Sequence, residues 1–190
     1  MQSALSVYFQ LGFDHILDWD ALDHLLFLLV LGAGFGLKKW KPVLLLATAF
    51  TLGHSLTLFL TTYDVLTLPT NVVEAIIPLT IFFAALGRFV RPELTRAAYG
   101  LTAVYGLVHG MGFSGTLRAS LPPGFRENLW EMLLGFNLGV EVGQLLVLLG
   151  LLLLNELALR FLSIPRANWV RGICAVAGIW SLILFVQRVI

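Results

Sequence analysis

The four histidines of this chain, His15, His24, His54 and His109, lie inside or at the edge of hydrophobic stretches. Three stand in tight polar clusters: Asp23-His24, His54-Ser55 and His109-Gly110. Ionisable groups at membrane depth are costly and mark a pathway or a site. Histidine is also the commonest ligand for borderline transition metals. A carboxylate in another apolar run, Glu141, is flanked at i−4 and i+3 by Asn137 and Gln144, so one helix face carries a polar stripe. Imidazole plus carboxylate suits nickel, cobalt, zinc, copper or iron, and without thiolates a soft-metal site is disfavoured. Asp23 can ligate directly or accept the N–H of a neighbouring imidazole. Ser55, Thr51 and Thr57 can hydrogen-bond ligands or line a polar path. Cation binding favours neutral imidazole and ionised carboxylate, so metal and protons should compete.

The elements that must position these groups are membrane helices. The 190 residues are 58% hydrophobic and only 12% charged, with a mean hydropathy of +0.90, against roughly 25% charge in soluble domains. The expectation is an all-α integral membrane protein, a single domain over 1–190. A span needs ~20 mostly apolar residues, and six are read: 21–37, 42–60, 71–90, 97–117, 129–154 and 170–190. Residues 1–20 read as an N-terminal amphipathic segment, interfacial or re-entrant. Break signals fall at Lys41-Pro42, Leu68-Pro69, Arg91-Pro92, Pro122-Pro123-Gly124 and Ile164-Pro165. Lys38, Lys39, Lys41, Arg88, Arg91, Arg96, Arg160, Arg166 and Arg171 fall on one side; Arg118, Arg126 and Arg188 fall on the other. That asymmetry puts the odd loops in the cytoplasm and both termini on the outer, periplasmic side of a multi-pass inner-membrane protein. The first residues lack a basic n-region, so no cleavable signal peptide is expected. A net charge of +1 gives no case for nucleic acid, and the single Cys174 excludes an internal disulfide or a Cys-rich zinc motif. The partners implied are the metal ion and the lipid bilayer, with homo-oligomerisation left open.

Depth turns the scattered groups into one site. His54 lies twelve residues beyond Pro42, His109 twelve beyond Ala97, and Glu141 twelve beyond Leu129; twelve residues rise roughly 18 Å. Asp23 and His24 occupy the outer turn of the first span. All five are thus expected between the midplane and the outer face. Gly135, Gly139 and Gly143 repeat every fourth residue beside Glu141, and Gly106 and Gly110 do so beside His109. Such faces let helices approach closely. His109-Gly110-Met111-Gly112-Phe113 is also read as a place where the helix opens and exposes carbonyls. Asp14, Asp18 and Asp20 read as a solvated acidic face, Glu74 and Glu156 as interfacial, and Trp19, Trp40, Trp130 and Trp169 as an aromatic belt.

The stretches Gly12-Phe-Asp-His15, Asp23-His24-Leu-Leu-Phe, Phe50-Thr-Leu-Gly-His54-Ser55, His109-Gly-Met-Gly-Phe113 and Gly135-Phe-Asn137-Leu-Gly-Val-Glu141-Val-Gly-Gln144 occur in this order along most of the chain. As a set they resemble the HupE/UreJ family of hydrogenase- and urease-associated membrane proteins, in particular its shorter second branch. The Asp-His and Leu-Gly-His-Ser stretches are similar, more distantly, to the signature helices of nickel/cobalt permeases. The resemblance implies a six-helix secondary transporter for nickel or cobalt, with zinc also compatible, and carries metal-ligand roles onto His15, Asp23, His24, His54, His109 and Glu141. His15 and Asp23 are separated by seven residues where the family usually has five, which places His15 on a different face or outside the first helix.

Two other functions use the same residues. An intramembrane zinc hydrolase would hold the metal on three histidines with an open water position, Asp23 or Glu141 as base and Ser55 polarising substrate. A haem protein would use paired histidines as axial ligands. The discriminating feature is a through-path, which only a transporter needs. No Gly-rich phosphate loop is present, so any energy is expected from the membrane potential or from proton exchange.

Overall fold

The computed structural model of the protein describes residues 3–18, 22–66, 68–120 and 128–190, apart from the side chains of 116 and 118–120. These residues form helices without a strand: α1 (Ala4–Leu17), α2 (Leu22–Gly32), a 3-10 turn at Leu37–Lys39, α3 (Trp40–Thr62), α4 (Thr70–Val90), α5 (Arg96–Ser120), α6 (Leu129–Phe161) and α7 (Arg166–Val189). Leu37–Thr62, Thr70–Val90, Leu129–Phe161 and Arg166–Val189 are long and apolar enough to cross a membrane, and Leu22–Gly32 is apolar but shorter. The protein is an all-α membrane protein. Trp19, Asp20, the expected span start at Ala21, the Pro122-Pro123-Gly124 turn and Arg126 lie outside the described residues.

The first expected span is shorter than its apolar run. It stops at Gly32 rather than 37, and eleven residues rise only about 16 Å. The cause is capture of its terminal carbonyls, which need partners at any helix end. Asn155 Nδ2 donates to the carbonyls of Gly32 and Phe35 at 2.9 and 3.1 Å. Arg88 Nη2 donates to Ala33 and Arg166 Nε to Gly34, both at 2.7 Å. Gly34 turns the chain with a φ of 71°, a conformation open to glycine. Both guanidinium groups also lie over the Phe35 ring, at 5.2 and 5.4 Å. In contrast, α6 runs beyond residue 154 to Phe161.

Glycines set the helix pairing. A Cβ at Gly139 would collide with the carbonyl of Phe9, one at Gly12 with that of Phe136, and one at Gly135 with that of Leu5. The matched registers (Leu5 at 135, Phe9 at 139, Phe13 at 143) show α1 running in the same direction as α6 along its first half. The N-terminal segment is therefore re-entrant: Tyr8, Gly12 and Ile16 are buried. Its other face exposes Gln10, Asp14 and Asp18, with Gln10 Nε2 donating to Asp14 at 2.7 Å. Gly53, Gly106 and Gly110 likewise seat α3 on α5, where added Cβ atoms would strike the carbonyls of Ala103, Phe50 and His54. The helix opening expected at His109–Phe113 is absent, and Arg96–Ser120 is one unbroken α-helix. Gly110 serves the close approach to His54 instead, which an intact helix surface satisfies. α4 pairs with α7, and α2 touches α4, α6 and α7.

Candidate metal centre

His15 sits in the last turn of α1 and His24 in the first turn of α2, on either side of the break between these helices. Because α1 and α2 both follow α6, first Gly143 beside Ile16 and then Leu148 beside Gly32, the break brings the two imidazoles together. Their ring centroids are 4.5 Å apart. His54 of α3 completes a group: one ligand atom each from His15, His24 and His54 lies within 4.8 Å of the others. His109 of α5 lies on the far side of His24, ring to ring at 5.3 Å. His15 and Asp23 thus belong to two separate helices, so His15 need not share a helix face with His24.

These imidazoles are sealed by aromatic rings. Phe113 is 4.0 Å from His15, Phe136 is 6.1 Å from His54 and stacked on it, and Phe50 is 5.2 Å from His109. His24, His54 and His109 are buried. His109 Nε2 meets the Thr80 hydroxyl at 3.1 Å. Among the described residues, His15 Nε2, both nitrogens of His24 and of His54, and His109 Nδ1 are buried without a hydrogen-bond partner. Each orphaned buried group costs about 1–3 kcal/mol. A cation receiving the imidazole lone pairs removes much of that cost. Ring spacings of 4.0 to 6.1 Å in this packed shell leave no slot for a haem macrocycle.

The two carboxylates behave differently from the imidazoles. Asp23 Oδ2 pairs with Arg188 Nη2 of α7 at 2.5 Å, while its Oδ1 is buried and unpartnered. Arg188 Nη1 also donates to the carbonyl of Glu74 at 3.1 Å. That carbonyl is free because Pro78, four residues on within α4, has no N–H to offer it. Arg188 therefore bridges a proline-released acceptor and the Asp-His pair. Arg188→Gln is expected to cost about 2 kcal/mol, less than a fully buried pair because Arg188 is partly exposed. It should nevertheless tighten divalent-cation binding, by removing a positive charge that competes for Asp23. Thermal melts and metal titration check the two signs, and weaker metal binding would show that Arg188 does not compete.

Glu141 lies with hydroxyls rather than in the imidazole group. Its Oε1 accepts from Thr48 Oγ1 at 2.8 Å and its Oε2 accepts from Thr51 Oγ1. Thr51 Oγ1 is also 3.3 Å from Gln144 Oε1. Asn137 Nδ2 donates to the Leu133 carbonyl at 2.8 Å and its Oδ1 is buried without a partner. Ser55 and Thr57 return their hydroxyls to carbonyls of their own helix, those of Thr51 and Gly53 at 2.6 and 3.2 Å, so Ser55 is not poised toward a substrate beside His54.

Cavities flank the histidines along the helix direction. One, of about 260 Å³, reaches from Tyr105, Thr102 and Leu46 to the exposed Arg91, Glu93 and Thr95. It belongs to the end of the bundle that carries the lysine-rich 3-10 turn. Another, of about 250 Å³, lies at the opposite end between Thr61, Thr70, Met111 and Ser114. Between His109 and the first cavity stands Phe27, 5.3 Å from His109, 4.9 Å from Phe50 and 5.8 Å from Tyr105. Phe27, Thr80, Thr48 and Arg188 were not singled out from sequence. Phe27 follows His24 by three residues and Arg188 was one of the few cations of its side, but only packing assigns their roles.

No curated protein and no solved structure matches the chain. A protein-family model described as HupE / UreJ protein matches residues 1–188. With the signature stretches of α1, α2, α3, α5 and α6 gathered around one histidine cluster, and the match spanning nearly every residue, the chain belongs to the HupE/UreJ family.

Proposed function

We propose that this protein is a membrane transporter for a divalent transition metal of the nickel/cobalt type. The single observation that carries the reading is the group of imidazoles contributed by α1, α2 and α3, with ligand nitrogens within reach of one another and without partners, and His109 of α5 beside His24. His15, His24 and His54 hold the cation, and His109 stands next to receive it. Neutral nitrogen donors suit nickel and cobalt, with zinc an acceptable competitor. Asp23 trades Arg188 for the arriving cation, neutralising part of its charge. Thr51 and Gln144 line the polar stripe inward of His54, and Asn137 lies at the level of His54, next to Phe136.

In this reading α1 and α2 together make one discontinuous crossing, and α3 to α7 make five more, giving six. Discontinuous helices are a common way to place a site inside a transporter, since the chain ends at the break offer polar groups where an intact helix has none. The basic end faces the cytoplasm of the inner membrane and both termini face outward. The cavity ending at Tyr105 then serves as the exit, and Phe27 is the plug between it and His109. A hydrolase has no use for cavities on both sides of its metal, which favours transport.

The test is metal analysis of purified protein, followed by nickel or cobalt uptake in proteoliposomes. Phe27→Ala is expected to keep metal affinity within about threefold while raising uptake severalfold, because the aromatic barrier is removed and no ligand is touched. Phe27→Trp should slow uptake. Absence of bound metal and of uptake in the wild type would reject the proposal, and equal uptake in the Phe27 variants would remove the plug from it.

A further inference from the structure

Glu141 presents an unsolved charge problem. It lies within α6, one of the membrane-crossing helices, half buried against α3. Its two oxygens accept hydroxyl bonds from Thr48 and Thr51, and no cationic side chain pairs with it among the described residues. An ionised carboxylate in an apolar setting is costly unless a positive charge accompanies it. Two threonine hydroxyls supply dipoles, not charge.

The surroundings indicate what kind of cation fits. Thr48 and Thr51 precede His54 by six and three residues, so they lie roughly 9 and 4.5 Å inward along α3. Around the carboxylate stand two hydroxyl oxygens and the amide Oε1 of Gln144, which is 1% exposed. Gln144 Nε2 is buried with no partner, and the Gln144 amide lies 3.3 Å from Thr51 Oγ1. The ligand atoms gathered around Glu141 are oxygens, whereas the neighbouring histidine level offers mainly unpartnered imidazole nitrogens, with one Asp23 oxygen beside them. Hard cations take oxygen ligands and borderline metals take imidazole. One carboxylate balances one monovalent charge, whereas a divalent ion would leave a net positive charge in the apolar layer.

We infer that Glu141, Thr48, Thr51 and Gln144 form a second cation site, separate from the imidazoles, for a hard monovalent ion of the sodium class. Resting on the transporter reading, this ion is the coupling partner of the metal, bound one turn inward along α3, the helix that the two sites share. Thr51 is the link, since it belongs to the oxygen cluster and lies one turn from His54 on α3.

The experiment is thermal unfolding of the purified full-length protein in detergent, with sodium chloride against choline chloride at equal ionic strength and, separately, with nickel. At a sodium concentration roughly a hundredfold above its dissociation constant, the midpoint of the wild type should rise by about 5 °C or more. His54→Ala should keep that rise and lose the nickel response. Glu141→Gln, and independently the near-isosteric Thr48→Val, should lose the sodium rise and keep the nickel response. A sodium rise without any nickel response supports this site while defeating the metal-transport reading. A nickel response without a sodium rise in the wild type overturns this site and leaves the metal reading standing. A sodium rise that survives in Glu141→Gln also overturns it.

Discussion

Purified His24→Ala/His54→Ala protein is expected to lose affinity for nickel or cobalt by at least about ten-thousandfold, since a four-ligand site worth roughly 10–16 kcal/mol divides to some 3 kcal/mol per donor. The geometry makes these two the decisive pair. His24 is the one imidazole with close ring neighbours on both sides, His15 at 4.5 Å and His109 at 5.3 Å. His54 is fully buried and stacked between Phe50 and Phe136, so it cannot be replaced by a mobile side chain or by water. The stability signature is equally specific. Without metal, the double variant should melt near the wild-type temperature, because the lost ring packing is offset by removal of four orphaned buried nitrogens. With metal, only the wild type should gain stability. Isothermal titration and paired melts read both effects. Wild-type affinity in the folded double variant would show that the cation sits elsewhere.

The second large effect concerns packing. Gly139→Leu should undock α1 from α6, because even a Cβ at this position would enter the Phe9 carbonyl and the backbone of Phe13. Main chain cannot rotate aside as a side chain can, so the cost should reach or exceed about 3 kcal/mol, the upper end of ordinary overpacking. His15 sits two residues beyond Phe13 and should be withdrawn from the cluster with it. The expected result is a protein that still inserts but binds metal about a hundredfold more weakly, as for loss of one imidazole. Limited proteolysis of the 3–18 segment should accelerate in parallel. Gly150→Leu is the control, since nothing lies within 4 Å of a Cβ there, and it should leave binding and cleavage unchanged. Intact metal binding in Gly139→Leu would mean that His15 is dispensable.

Depth along a helix was legible in the sequence, and azimuth was not. The rise per residue is fixed, so counting from Pro42 and Ala97 put His54 and His109 at one level, and the structure brings both beside His24. The same counting put Glu141 at that level too. Its side chain instead turns to Thr48 and Thr51, and nothing in one sequence states which faces of α3 and α6 meet. The glycines at 135, 139 and 143 were readable as close-packing positions, but not that their partner is the N-terminal segment, a contact spanning more than a hundred residues. The end of α2 at Gly32 was hidden because the run to Leu37 stays apolar. What stops the helix is the capture of its carbonyls by Arg88, Asn155 and Arg166, all distant in sequence. Arg188 was legible only as a charge near an end, although Pro78 announced a free carbonyl at Glu74.

The docking of α1 onto α6 fixes an order of events during synthesis. Residues 4–18, with an exposed Gln10-Asp14-Asp18 stripe, are too short and too polar to remain in lipid unaided. Their glycine-notched seat does not exist until residue 143 has left the ribosome. At synthesis rates of about 5–20 residues per second, the N-terminal segment must wait several seconds or longer, with His15 kept from the other three imidazoles. The newborn chain therefore lacks the His15 contribution to its metal centre until residue 143 has emerged.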